Sequence, residues 1–239
     1  MFINSFTPSL LPIMSNLSIV TTADGSKTIF NAQVGENYHS KHGALQESQH
    51  VFLNSGLRFY LAGTEANNVS VLEVGLGTGL NFLLSADFCT AKQIKLNYTG
   101  IEAYPLTEEM IAQTGYNQYI SAPLWNSFLA NYPQSLKQPI KLNPFVELET
   151  MHEQLLNYST TQQFNIIYFD AFASIHQPEM WSEEAIKHTI QFLKPGGVFV
   201  TYAITGNLKR TLKALGLKVE KAPGAPGKRE MLRATLPVL

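Results

Sequence analysis

The chain has 239 residues, 45 % of them hydrophobic and 15 % charged, with 17 Lys plus Arg against 18 Asp plus Glu and a net charge of −1. That is enough apolar material for a sizeable core and too little charge for a disordered chain. A near-neutral balance also excludes nucleic-acid binding by overall charge, so any such partner needs a local basic patch.

No Lys or Arg precedes Lys27, so the n-region of a secretory signal is missing. Residues 1–16 read as a disordered leader, with Met14 as an alternative initiator. Residues 17–239 read as a single domain. From Leu17 to Glu36 β-forming residues alternate around Asp24-Gly25, which predicts a hairpin. His42 to Leu61 places Leu45, Val51, Phe52, Leu57 and Leu61 at helical spacings, interrupted at Gly56. Hairpin and helix form an N-terminal extension. Val69 to Val74 is a short buried strand that runs into Gly75-Leu76-Gly77-Thr78-Gly79, and Asn81 to Phe88 follows as a helix. Next come a strand at Ile94 to Ile101, a helix at Leu106 to Gln113, and broken helix and loop across Tyr116 to Pro139. A strand at Ile140 to Leu148, a helix at Met151 to Tyr158 and a strongly apolar strand at Phe164 to Phe169 continue the alternation. Ser182 caps a helix to Leu193, with Glu183 and Glu184 in its first turn. Pro195-Gly196-Gly197 turns the chain into the strand Val198 to Tyr202. A helix at Leu208 to Leu215 and strands at Leu217 to Glu220 and Met231 to Leu236 complete it. Strands separated by helices predict parallel βαβ units in one α/β, doubly wound, mostly parallel sheet. Only the last two strands, joined by a loop, predict an antiparallel pair.

The single cysteine, Cys89, excludes an internal disulfide and a thiolate-rich metal site and fits a reduced, cytoplasmic compartment. No apolar run reaches the roughly 20 residues of a membrane span. The six histidines show no metal-ligand spacing, so neither metal nor membrane is expected. No hydroxyl sits in a nucleophile elbow, which leaves a hydrolase triad without an anchor.

The glycine cluster follows a buried strand and opens a helix, so its amides and the helix N-terminus face a ligand. A dinucleotide fingerprint would place its third glycine at position 80, which is Leu80. Glu73, just before the loop, would repel a pyrophosphate and suit a cationic amine such as that of S-adenosylmethionine. Thr78, Gly79 and Asn81 complete the candidate loop. Glu102, ending the next strand, stands where ribose hydroxyls are bound, and Glu149 is a candidate for the adenine side. Asp170 ends the most apolar strand, where an open sheet places its reaction centre, and Phe172 could wall a flat substrate. The plainer alternatives are a structural glycine turn, a solvated strand-end acid and a helix N-cap at Asp170. Lys209-Arg210 and Lys228-Arg229 are either solvated charges or grips for phosphates.

Together these blocks resemble the Rossmann-like class I S-adenosylmethionine-dependent methyltransferases that finish the wobble-uridine modification of tRNA, the methyltransferase half of the MnmC family. The similarity is carried by Val71 to Phe82, by Glu102-Ala103-Tyr104-Pro105-Leu106, and by Tyr168 to Ala173 with Pro178-Glu179-Met180-Trp181. Gly224 to Leu232 carries the most family-specific part. Tyr38-His39-Ser40 and Gly43 to Ser48 match upstream. Ser174 departs from the family's usual Pro, and no flavin-dependent oxidase half follows within these 239 residues. The resemblance implies S-adenosylmethionine as cofactor and methyl transfer to the amine of 5-aminomethyl(-2-thio)uridine. It also implies Asp170 at the acceptor amine and separate enzymes that make the amine. Tyr38 and Phe172 become candidates to stack on the uracil, and Lys209, Arg210, Lys228 and Arg229 to take phosphates of the tRNA anticodon region.

Overall fold

The computed structural model describes residues 16–238, so the predicted leader and Met14 lie, apart from Asn16, outside the described residues. Strands β1 (Leu17–Thr21), β2 (Lys27–Asn31) and β3 (Glu36–Asn37) form a small antiparallel sheet. Its first turn is the expected one: Gly25 takes φ +85°, a conformation costly for a residue with a β-carbon. Asp24 accepts from the Ser26 amide at 3.0 Å through Oδ1 and from the Gln46 amide at 3.0 Å through Oδ2. The hairpin therefore satisfies a free N–H at the start of the next helix.

That helix, α1, runs over 44–62 as an α-turn (Ala44–Glu47), a π-helical stretch (Ser48–Arg58) and a last α-turn (Phe59–Ala62). Gly56 is the point of closest approach to the sheet. A β-carbon there would lie 2.7 Å from Cε1 of Tyr168.

The main sheet holds β4 (Asn68–Val74), β5 (Lys95–Ile101), β6 (Ile140–Asn143), β7 (Val146–Met151), β8 (Phe164–Phe169), β9 (Leu193–Thr201), β10 (Lys218–Pro223) and β11 (Glu230–Thr235). Their order is β10-β11-β9-β8-β4-β5-β7-β6. The pairs β7·β5, β5·β4, β4·β8 and β8·β9 are parallel. At one edge β11 is antiparallel to both β9 and β10, as the sequence predicts. The opposite edge corrects the sequence reading, because Ile140 to Leu148 is not one strand. Asn143 Oδ1 accepts from the amides of Phe145 (2.8 Å) and Val146 (3.0 Å), turning β6 back along β7. β7 then continues to Met151, so the helix predicted over Met151 to Tyr158 shrinks to the 3₁₀ turn Leu155–Asn157.

The helices are α2 (Leu80–Lys92), α3 (Glu108–Ala112), α4 (Ala122–Ser135), α5 (Glu183–Ile190) and α6 (Gly206–Ala214). α4 replaces much of the expected broken segment. Its buried Leu124, Trp125, Phe128 and Tyr132 keep a helical period, and Pro133 lies so near the end that few bonds remain to lose. Ser182 caps α5 as expected, accepting from the Ala185 amide at 3.1 Å. Apolar layers cover both faces of the sheet. Phe52, Phe82, Phe128 and Tyr168 pack on one side; Phe169, Ile186, Phe199 and Leu212 pack on the other. From β4 the chain steps outward to β5 and β7, then returns to place β8 on β4's other side. The switch point between β4 and β8 opens a crevice at the carboxyl ends of the strands.

Candidate active site

At the switch point the Asp170 amide donates to the Val74 carbonyl at 2.9 Å, so the ends of β8 and β4 are tied together. Gly75 follows with φ +86°, and a β-carbon there would lie 2.5 Å from the Asp170 carbonyl oxygen. Only glycine fits both the sign of φ and the gap. The amides of Gly75 and Leu76 donate to the Ile101 carbonyl at 3.0 and 3.2 Å. Glu102 then takes the Gly77 amide on Oε2 (2.9 Å) and the Tyr104 amide on Oε1 (3.0 Å). Burial raises the Glu102 carboxyl above its ordinary range, and these amides oppose that shift.

Asn81, in the first turn of α2, lies beneath the loop. Its Nδ2 donates to Glu73 Oε1 at 2.8 Å and to Asp170 Oδ2 at 2.7 Å, joining two carboxyl groups through one amide. Its Oδ1 is buried with no hydrogen-bond partner among the described residues. Tyr98 occupies the other oxygen of Glu73 at 2.7 Å. Glu73 is fully buried, which corrects the expectation that it faces the cofactor. Its place in β4 turns it toward the α2 side of the sheet, and burial, followed by the charge of Asp170, pushes its carboxyl well above the usual range. It is a neutral support under the loop. Thr78 borders the cavity, yet its hydroxyl is 3.0 Å from that of Tyr116.

The crevice is a cavity of about 590 Å³. Gly75, Gly77, Thr78, Glu102, Asp170, Tyr38 and Phe172 all border it, so most of the predicted site residues converge there. Tyr38 lies against the backbone of Gly77, where a β-carbon would be 2.8 Å from its ring. Its ring meets Phe172 edge to face, with centroids 5.1 Å apart. The Phe172 loop is held from three sides. Glu36 accepts from the Ala173 amide at 2.8 Å, Trp181 Nε1 donates to the Phe172 carbonyl at 2.8 Å, and the Tyr202 hydroxyl donates to the Ala171 carbonyl at 2.8 Å. Burial pushes the Asp170 carboxyl up to about 8; the Glu47 charge adds to this, while the Asn81 hydrogen bond and Lys228 oppose it. Four carboxyl groups, on Glu102, Glu153, Asp170 and Glu179, border the cavity, and no Lys or Arg does. Such a lining suits a cationic ligand.

Other predicted residues lie elsewhere. Glu149 is not at a strand end, because β7 runs on to Met151, and Glu153 takes the position beside the cavity. Gly79 precedes α2 with φ +76° and packs on Phe128 instead of lining the cavity. Lys209 and Arg210 border a second cavity of about 470 Å³ with Lys213 and Lys221. Arg229 is exposed. Lys228 is not free for phosphates: its Nζ is 2.6 Å from Glu47 Oε1. Sequence reasoning missed Glu36, Glu47 and Glu153 as neighbours of the site. Glu36 and Glu47 belong to the N-terminal extension, and no spacing signal connects them to Asp170. His39 borders the cavity as a buried neutral ring, pushed down to about 4 by burial, with Nδ1 2.9 Å from Thr28 Oγ1. Among the described residues no helix is long and apolar enough to cross a membrane, and no group of three metal-ligating side chains occurs.

Comparison with known proteins gives the class. Residues 119–237 match a family model described as S-adenosyl-L-methionine-dependent methyltransferase. The chain is 28 % identical over 235 residues to the tRNA 5-methylaminomethyl-2-thiouridine biosynthesis bifunctional protein MnmC of Magnetococcus marinus, covering 92 % of this chain and 35 % of that protein. It is 30 % identical over 212 residues to MnmC of a Marinomonas species, covering 83 % and 31 %. The chain thus spans about a third of the length of these curated relatives. The crystal structure of MnmC2 from Aquifex aeolicus superposes with a TM-score of 0.75 at 21 % identity, over 93 % of this chain and 72 % of that one, and shares the fold. With its glycine loop, strand-end acids and mostly parallel sheet, the chain belongs to the S-adenosyl-L-methionine-dependent methyltransferase family and is an enzyme of that class.

Proposed function

We propose that the chain methylates the exocyclic amine of 5-aminomethyl(-2-thio)uridine at the wobble position of tRNA, giving the 5-methylaminomethyl form. The observation that carries this reading is the convergence on one cavity of the glycine loop, Asp170 and the Tyr38–Phe172 ring pair. The similarity to MnmC proteins supports the choice of acceptor. The methyl donor fits the residues present: the loop leaves no room for β-carbons at Gly75 and Gly77, and the lining is carboxylate-rich without Lys or Arg.

When bound, S-adenosylmethionine supplies a methyl group on a positively charged sulfur. Gly75, Gly77 and Glu102 would hold it, since a carboxylate already taking two amides keeps lone pairs for sugar hydroxyls. Asp170, oriented by Asn81, accepts a hydrogen bond from the acceptor amine, aims its lone pair and stabilises the developing ammonium. Tyr38 and Phe172 stack on the uracil, as recognition of an unstacked RNA base demands. Phosphates of the anticodon region fall to Lys209 and Arg210 with Lys213 and Lys221, and to Arg229. Among the described residues Lys209 and Lys213 have no acidic partner. Other enzymes would supply the free amine.

Mass spectrometry of tRNA nucleosides from cells with and without the gene tests the proposal. Its loss should remove the 5-methylaminomethyl nucleoside and accumulate the 5-aminomethyl one. Unchanged nucleosides would overturn it in favour of a small-molecule amine as acceptor.

A further inference from the structure

The loop between β10 and β11 is tied to the site by interactions that the proposed chemistry leaves unused. Gly224 lies too close to the Lys228 carbonyl to carry a β-carbon, and its amide donates to the Arg229 carbonyl at 3.2 Å. Gly227, at φ +87°, lies on the His42 ring, 2.7 Å from where its β-carbon would be. These approaches turn Lys228 back toward α1. Its Nζ donates to Glu47 Oε1 at 2.6 Å and lies 4.0 Å from the centre of the Tyr202 ring. Both partners are fixed in turn. Glu47 is buried and takes the Ser40 amide on Oε2 at 2.9 Å. The Tyr202 hydroxyl holds the carbonyl of Ala171, the residue after Asp170.

We propose that Lys228 is a positioning residue for Asp170: with Glu47 it forms a clasp from the β10–β11 loop to α1 that fixes the charge of the carboxylate facing the acceptor. The inference rests on the role given to Asp170 above. Groups of the same sign surround that carboxylate: Glu73 from β4, Glu47 from α1 and Glu36 from β3, with the phenols of Tyr98 on β5 and Tyr202 after β9. A carboxylate so placed takes up a proton, and it then donates where the amine needs an acceptor. Lys228 is the cation set against them. A free lysine side chain would swing into water; the Glu47 carboxylate and the Tyr202 ring face hold this one beside the site.

The test is an NMR titration, because aspartate occurs only at positions 24, 87 and 170. A chain labelled with carboxyl-13C aspartate gives three carboxyl signals, and Asp170→Asn assigns the one that matters. Lys228→Met should move the Asp170 midpoint up by about one pH unit or more, the low end for removal of an adjacent opposite charge. Glu47→Gln should move it down, since the lysine then lacks its counter-charge. Lys228→Arg should restore the wild-type midpoint, and the Asp87 signal should stay in place throughout. An unmoved Asp170 midpoint in a folded Lys228→Met protein would refute the clasp. If Lys228→Met does not fold, Glu47→Gln decides alone: a downward shift supports the clasp, and no shift or an upward one refutes it. The titration needs no acceptor, so failure of the tRNA reading in nucleoside analysis leaves this result readable.

Discussion

Replacing Asp170 with Asn removes a carboxylate that the fold holds against its own solvation. The folded-state pKa is raised from 3.8 to about 8. A raised carboxyl binds its proton more tightly in the native chain, so its favourable contribution is complete below pH 4 and is lost as pH rises toward 8. Across that window each pH unit favours unfolding by about 1.4 kcal/mol, a ceiling of roughly 6 kcal/mol. Asp170 borders a cavity and is only partly buried by surface area, so solvent reduces the effect to roughly 2–4 kcal/mol. Asn keeps the size and one carbonyl acceptor for Asn81, without the charge. At about 2–4 °C per kcal/mol for a chain of this length, Asp170→Asn should melt roughly 5–12 °C above wild type at pH 8.5. Near pH 4 the two should melt together. Calorimetric melts without ligand at several pH values provide the assay. The same variant should lose at least about 10²-fold in single-turnover methyl transfer, because the acceptor amine loses its anionic partner. A gap in melting temperature that does not grow with pH would refute the reasoning, as would a variant that transfers methyl groups as fast as wild type.

Glu102→Ala should weaken S-adenosylmethionine binding by on the order of 1–3 kcal/mol in calorimetric titration, and the wild-type chain should bind S-adenosylmethionine in preference to NAD. Gly75→Ala brings a β-carbon to 2.5 Å from the Asp170 carbonyl at φ +86°; a drop in melting temperature with loss of cofactor binding is expected, and unchanged binding would contradict the loop assignment. Lys209→Ala with Lys213→Ala should lower tRNA affinity and reduce the log–log salt slope by roughly 0.7–0.9 for each phosphate no longer neutralised, leaving the cofactor dissociation constant unchanged. An unaltered slope would make the α6 cations a solvated face.

The sequence by itself determined the order of elements, the parallel core of the sheet and the sites at the ends of β4, β5 and β8. These follow from local periodicity, from a glycine run after a buried strand, and from the rule that open α/β sheets bind ligands at their carboxyl ends. Gly75, Glu102 and Asp170 were legible for that reason. The turn at Pro144-Phe145 was not, because one apolar run serves a strand and a tight hairpin equally well. Glu149 failed with it, since a strand end misplaced by two residues moves the acid away from the crevice. The roles of Glu73, Asn81, Glu47 and Lys228 were decided by tertiary structure alone. Asn81 joins Asp170 across 89 residues, and Lys228 meets Glu47 across 181. Periodicity reports which face a side chain takes on its own element. It is silent about which charge another element brings against it, and that charge sets whether a buried acid supports a loop or faces a substrate.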